Sequence, residues 1–176
     1  ETGTVYGQPD NLPVNENSSF KKPESPYAET KQICEKLIEK FTVEKRKHGI
    51  SLRYFNPVGA HNSSLIGELP RGIPDNLVPY ITQSAIGKRK KLKVFGMDYE
   101  TSDGTPVRDY IHVVDLANAH VQALNRLLEK KSKKFYEFFN VGTGRGYSVL
   151  EVIKSFEKVN NIKLPYVFSN RREGDS

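Results

Sequence analysis

The chain has 176 residues, enough for one domain with a real core, and 36% hydrophobic content with nine Phe and nine Tyr describes a globular protein. No run of 18 apolar residues is present to form a transmembrane helix, and the start Glu1-Thr2-Gly3 lacks the basic-then-apolar pattern of a signal peptide. The net charge of +6 sits mainly in two runs, Lys88 to Lys93 and Lys130 to Lys134; with no basic helix carrying interleaved aromatic residues, it argues against nucleic acid and suits an acidic small molecule.

In chain order, Thr2-Gly3-Thr4-Val5-Tyr6-Gly7 reads as the end of a strand running into a turn. Ser25-Pro26 then predicts a helix to about Arg46: Ser25 can cap it and Pro26 suits its first turn. Ile33, Leu37, Ile38 and Phe41 recur at helical spacing and are expected to face the core. Cys34 lies among them and reads as a buried small residue. As the single cysteine it forbids an internal disulfide and fits a reducing, cytoplasmic location. His48-Gly49 ends the helix, and Ile50 to Phe55 predicts a short buried strand closed by Asn56-Pro57. A helix feeding a strand in this way is half of a crossover unit.

From Val58 to about Pro79 the chain is rich in Gly, Pro, Asn and Ser, and a loop of that length is usually functional. A helix is expected over Leu77 to Gly87, a strand over Leu92 to Phe95, and a turn at Asp103-Gly104. Asp115 opens a helix through Leu116, Val121, Leu124, Leu127 and Leu128, and Phe135 to Val141 is strand-like. Ser148 and Glu151 form a capping box before a helix that uses Val152, Ile153, Phe156 and Val159. Pro165 to Phe168 makes a last strand. Gly142-Thr143-Gly144-Arg145-Gly146 imitates a dinucleotide-binding turn. Its spacing is G-x-G-x-G, however, and no ribose-binding acid ends the next strand, so it reads as a structural strand-to-helix turn.

The chemistry concentrates at Tyr27 and Lys31. Four residues on a helix is about 40° around the axis, so phenol and ammonium project from one face, at the inward margin of the Ile38 edge. A nearby ammonium favours the phenolate and makes tyrosine a usable general base for an alcohol proton. An ordinary exposed helical pair has the same spacing, and the surrounding blocks decide between the two. No set of His, Cys and acidic residues has zinc-ligand spacing, since His112, Asp115 and His120 are too loosely placed. The G-x-S-x-G elbow of a hydrolase is absent.

Those surrounding blocks are Thr2 to Gly7, Leu52 to His61, Gly72 to Leu77, Val94-Phe95-Gly96, Asp103 to Ala117, and Arg171 to Asp175. Together with the Tyr27/Lys31 pair they resemble the UDP-galactose 4-epimerases of the extended short-chain dehydrogenase/reductase family, in order from the first residues to the last. The resemblance implies an α/β fold: part of an NAD(P)-binding Rossmann domain, a doubly wound parallel sheet, with a smaller C-terminal α/β substrate-binding domain. It places residues 1–57 in the cofactor domain and 58–176 mainly in the UDP-sugar domain, with a segment around 110–145 returning to the first. The reaction it implies interconverts UDP-galactose and UDP-glucose through transient NAD-dependent oxidation at C4 of the sugar.

On that resemblance Tyr27 is the base, Lys31 tunes it and holds the nicotinamide ribose, and Thr2 shares the sugar oxygen. Tyr54 and Phe55 line sugar and nicotinamide. Arg108 and Arg172 grip the diphosphate, as planar guanidinium forks do, while Asn56, Asp75, Asn76 and Leu77 meet diphosphate and nucleotide. Phe95 packs on uracil beside Lys93 and Val94, and Glu173, Gly174 and Asp175 approach the nucleotide ribose. Gly3 and Thr4 complete the contacts beside Thr2. A homodimer is implied, as is the absence of nucleic-acid and membrane partners.

The family's first βαβαβ half, roughly a hundred residues by the size of such units, has no counterpart here. The chain is therefore expected to be a fragment that is inactive and poorly soluble alone. A sugar-nucleotide 4,6-dehydratase would need acidic residues after Thr2, where Gly3 and Thr4 stand. A non-catalytic truncated product is the remaining alternative.

Overall fold

The computed structural model describes residues 1–172. They form two compact units, one of Glu1–Pro57 with Ile111–Gly144, the other of Val58–Tyr110 with the chain from Arg145 onward. The chain is mixed α/β with parallel strand pairs, as the resemblance implies.

The first unit opens with a 3-10 turn, η1 (Gly3–Tyr6), whose N-cap Thr2 makes a parallel bridge to Tyr54. Helix α1 (Pro26–Glu44) follows, then strand β1 (Gly49–Tyr54) and a three-residue strand β2 (Asn56–Val58). After the second unit's first segment come strand β4 (Val107–His112), which leads back into this unit, helix α3 (Val113–Leu128) and strand β5 (Tyr136–Val141). β1 and β5 pair in parallel, in the register Gly49 to Tyr136 through Tyr54 to Val141. A parallel pair needs a crossover connection, which α3 and its flanking chain provide.

α1 corrects the expected core face. Ala28, Glu35 and Thr42, seven residues apart, and Gln32 are buried. Ile33, Leu37, Ile38 and Phe41 are exposed, and so is Cys34. The polar face wins because it has specific partners to satisfy it. Gln32 donates to Val5 O at 2.8 Å and to Lys21 O at 2.9 Å, which fastens α1 to η1 and the loop after it. Glu35 receives the Arg53 guanidinium of β1, with Arg53 Nε 3.1 and 3.0 Å from its two oxygens. Thr42 lies so close to β1 that a Cβ at Gly49 would stand 2.7 Å from its methyl, which is why a glycine opens the strand.

Arg53 also donates to Tyr6 Oη at 2.8 Å, and Tyr6 donates to Asn140 Oδ1 at 2.6 Å. The guanidinium carbon lies 4.0 Å from the Phe138 ring centre, 4.8 Å from that of Phe20 and 5.1 Å from that of Tyr6. Burial works against the charge on Arg53, but its bonds to Glu35 and Tyr6 outweigh this and hold its pKa above the ordinary value.

The second unit contains helix α2 (Leu77–Ala85), strand β3 (Leu92–Phe95), strand β6 (Gly146–Ser148), helix α4 (Val149–Asn160) and strand β7 (Tyr166–Ser169). β3 and β7 pair in parallel, and β4 pairs with β6 antiparallel from Val107 opposite Ser148 to Asp109 opposite Gly146. Ile81, Leu92, Val94, Leu150, Ile153 and Leu164 make an apolar core. Each such side chain, fully buried, contributes roughly 1.5–3 kcal/mol. The capping box at the start of α4 has both bonds, Glu151 N to Ser148 Oγ at 3.1 Å and Ser148 N to Glu151 Oε2 at 2.7 Å.

Other boundaries move by a few residues. α1 ends at Glu44, α2 at Ala85, and β1 starts at Gly49. α3 starts at Val113, because the His112 side chain accepts from Val114 N and takes the cap expected of Asp115. The glycine run leads first into β6 and only then into α4, and Val159 faces solvent at the end of α4. Lys88 to Lys91 and Lys130 to Lys134 lie between a helix and a strand, as solvated connections do, and Lys93 falls within β3.

Candidate active site

In the first unit, Ser25 accepts from Ala28 N at 3.1 Å and Pro26 takes the first helical position, which fixes where α1 begins. Tyr27 and Lys31 therefore stand one turn apart at its N-terminal end. The Lys31 ammonium is 5.7 Å from the centre of the Tyr27 ring. An ammonium within about 6 Å of a ring centre is attracted to the ring's π face, so the pair is held together on one side of the helix. Tyr27 is 55% exposed, against the expectation that it faces inward, because α1 turns a different face to the sheet.

Thr2 is buried beside β1 and its Oγ1 accepts from Thr4 N at 3.4 Å. Gly3 lies on the Phe55 ring so closely that a Cβ there would be 2.6 Å from it. Phe55 N donates to Val141 O at 3.2 Å, and the Tyr54 ring centre is 6.4 Å from that of His120. Thr2, Gly3, Tyr54 and Phe55 thus meet at the C-terminal end of β1, with Thr4 exposed next to them. In open parallel α/β sheets that end of the strands is where ligands bind. Asn56 follows half-buried at the start of β2.

In the second unit, Arg172 lies over the Phe95 ring, 4.2 Å from its centre, and donates to Asp75 O at 3.0 Å. This draws the end of β3, the residues before α2 and the guanidinium together. Asn76 stands at the N-cap of α2, yet its side chain donates to Glu68 at 2.9 Å and makes no cap bond to the helix. A helix start beside a guanidinium is suited to an anion. Leu77 opens α2, half-buried. On β3 the side chains alternate: Lys93 is exposed and Val94 is in the core, so Val94 has only its backbone to offer a ligand. Arg108 is half-buried on β4 and its Nη1 donates to Val107 O at 2.9 Å. Glu173, Gly174 and Asp175 lie outside the described residues.

Sequence reasoning missed Tyr6, Glu35, Arg53 and Asn140. The signal was present: an arginine in the middle of the apolar run Ile50 to Phe55 needs a buried partner, since an uncompensated charge there is costly.

The pattern of the NAD dependent epimerase/dehydratase family (Epimerase) matches residues 1–142. The UDP-glucose 4-epimerase of Pasteurella multocida is 51% identical over 175 residues, 99% of this chain and 51% of that protein. A crystal structure of UDP-glucose 4-epimerase from Bifidobacterium longum, in complex with NAD+ and UDP, superposes with a TM-score of 0.93 at 46% identity, over 99% of this chain and 51% of that one. The enzyme of the same name from Stenotrophomonas maltophila, with bound NAD and formylated UDP-arabinopyranose, gives 0.92 at 48% identity, over 99% of this chain and 51% of that one. The chain spans about half the length of the curated relatives it matches.

Proposed function

The chain belongs to the NAD dependent epimerase/dehydratase family, and on that footing we propose that the whole protein is a UDP-glucose 4-epimerase, interconverting UDP-galactose and UDP-glucose in galactose metabolism. The observation that carries this reading is one of placement. The helix bearing Tyr27 and Lys31 is fastened through Gln32 to the backbone of the segment bearing Thr2. That arrangement offers an acid–base phenol, a cation and a hydroxyl from neighbouring elements, a donor set made for an alcohol.

In this proposal Tyr27 takes the proton of the sugar's 4-hydroxyl and later returns one to the same oxygen. Thr2 holds that oxygen by hydrogen bonding, and Lys31 stabilises the phenolate that exists before Tyr27 takes the proton and after it returns one. The donor set also fits the nicotinamide end of NAD: Lys31 and Tyr27 offer polar atoms to a ribose, and Tyr54 and Phe55 offer ring surface. NAD, when bound, supplies reversible hydride acceptance at C4, so no added reductant is consumed.

The first unit is proposed as part of the cofactor domain and the second as the UDP-sugar domain. Arg108 and Arg172 take the diphosphate with Asp75, Asn76 and Leu77, while Phe95, beside Lys93 and Val94, meets uracil; in the first unit Asn56 is proposed as a nucleotide contact. Glu173, Gly174 and Asp175 are proposed at the nucleotide ribose. The exposed stripe Ile33, Leu37, Ile38 and Phe41 is proposed as the seat of a second copy in a homodimer, since contiguous exposed apolar surface marks association. Among the described residues no helix is long and apolar enough to cross a membrane. We place the protein in the cytoplasm on the ground of its single free cysteine, Cys34, which suits a reducing compartment.

Tyr27→Phe in the whole protein tests the reading. Turnover of UDP-galactose should fall about a hundredfold or more, because the base is gone while the ring remains. Near-normal turnover would remove Tyr27 from the chemistry.

A further inference from the structure

The geometry points to the buried Glu35–Arg53–Tyr6 cluster as a positioning device that sets the candidate catalytic groups against one another. The inference rests on the epimerase reading and extends it to residues that touch neither sugar nor cofactor.

Each member stands on a different element, and each element carries part of the site. Glu35 is on α1, one turn beyond Lys31 and two beyond Tyr27. Arg53 is on β1, next to Tyr54. Tyr6 ends η1, four residues after Thr2. All three are nearly inaccessible, at 3%, 3% and 1% exposure. The Arg53 fork grips Glu35 through Nε and Nη2 and reaches Tyr6 through Nη1. Asn140 of β5 closes the set by accepting from Tyr6, and its own N–H donates to Glu16 Oε1 at 2.8 Å.

Stability alone is a weak reason to bury such a set. Replacing a buried ion pair with apolar residues of like volume is often neutral or stabilising, whereas removing one partner is strongly destabilising. Directional bonds do what an apolar contact does not: a planar fork with two carboxylate bonds and one phenol bond fixes angle and register together. Rings on its flanks at 4.0 to 5.1 Å leave it little room to swing. Register is what the site needs, because a displacement of about 1 Å at a reacting group is enough to cost on the order of a hundredfold in rate.

The test uses the whole protein and three variants: Glu35→Met with Arg53→Met together, Tyr6→Phe, and Arg53→Lys. Thermal unfolding, UDP affinity, kcat and KM are measured for each. The double variant should unfold within a few degrees of wild type and bind UDP as well, with kcat at least tenfold lower and KM within about threefold. Tyr6→Phe keeps the ring and should lower kcat several-fold on the same pattern. Arg53→Lys keeps the charge without the fork and should fail to restore kcat. Should the double variant not fold, Tyr6→Phe decides. Wild-type kcat in a folded double variant, or in Tyr6→Phe if the double variant does not fold, would overturn the inference. A wild-type protein without epimerase turnover would instead overturn the reading on which it rests.

Discussion

The two units differ in what the largest cluster at each centre is made of. The second has an apolar centre, where Ile81, Leu92, Val94, Leu150, Ile153 and Leu164 meet. The first encloses a charged one, Glu35 and Arg53 among Tyr6, Phe20 and Phe138, and leaves the apolar stripe of α1 outside. Apolar packing is non-directional and tolerates repacking, whereas an ion pair bonded to a phenol is satisfied in one arrangement. The unit that carries the candidate proton-transfer groups is the one with a buried ion pair at its centre.

Single truncations should be costly at both centres, and the two should part on how far a near-isosteric replacement restores the loss. Glu35→Ala in the whole protein leaves Arg53 buried without its counter-charge and should cost about 3–5 kcal/mol of unfolding free energy. Ile153→Ala removes apolar contacts only and should cost about 2–5 kcal/mol. Ile153→Val should cost only a small part of the Ile153→Ala loss, whereas Glu35→Gln, nearly isosteric, should cost most of the Glu35→Ala loss. Denaturant titration of the four variants measures this, and equal recovery at both sites would mean that the first unit's centre is ordinary packing.

A smaller effect is expected at the second unit's surface. Arg172→Ala removes a charge-assisted contact of roughly 1.5–3 kcal/mol, so UDP affinity should fall about tenfold to a hundredfold, with NAD affinity unchanged. Arg108→Ala should act likewise. Calorimetry with UDP and with uridine checks both, and equal losses for the two ligands would mean that the arginines support the fold around them rather than a diphosphate.

The smallest effect concerns acid. The Arg126 guanidinium donates to both oxygens of Glu137, at 2.9 and 2.8 Å, and holds that carboxyl at about 2, below its ordinary value. A carboxylate lowered in the folded state contributes stability that is complete above its unfolded pKa, about 4.3, and is lost as pH falls towards the folded value. Wild type should therefore lose stability between about pH 4 and pH 2 more steeply than Glu137→Gln. Parallel acid-unfolding curves for the two would contradict this.

What was legible in the sequence follows the same division. β3, the capping box of α4 and the start of α1 stand where Leu92 to Phe95, Ser148/Glu151 and Ser25-Pro26 place them, because local chemistry decides each. The face of α1 was misread, because periodicity counts apolar side chains and is blind to a partner distant in sequence. Gln32, Glu35 and Thr42 are buried by Val5, Arg53 and Gly49, from 7 to 27 residues away. At the site, Tyr27 and Lys31 were visible from spacing and Thr2 from the resemblance, whereas Arg172 over Phe95 joins residues far apart in the chain that no spacing rule connects.

The central claim is tested most directly by giving the purified whole protein UDP-galactose, with NAD and no reductant, and following the sugar nucleotide. The account predicts UDP-glucose at a steady ratio reached from either side, with no net reduction of NAD. Release of a dehydrated sugar nucleotide, or stoichiometric reduction of NAD with an oxidised sugar left behind, would contradict it.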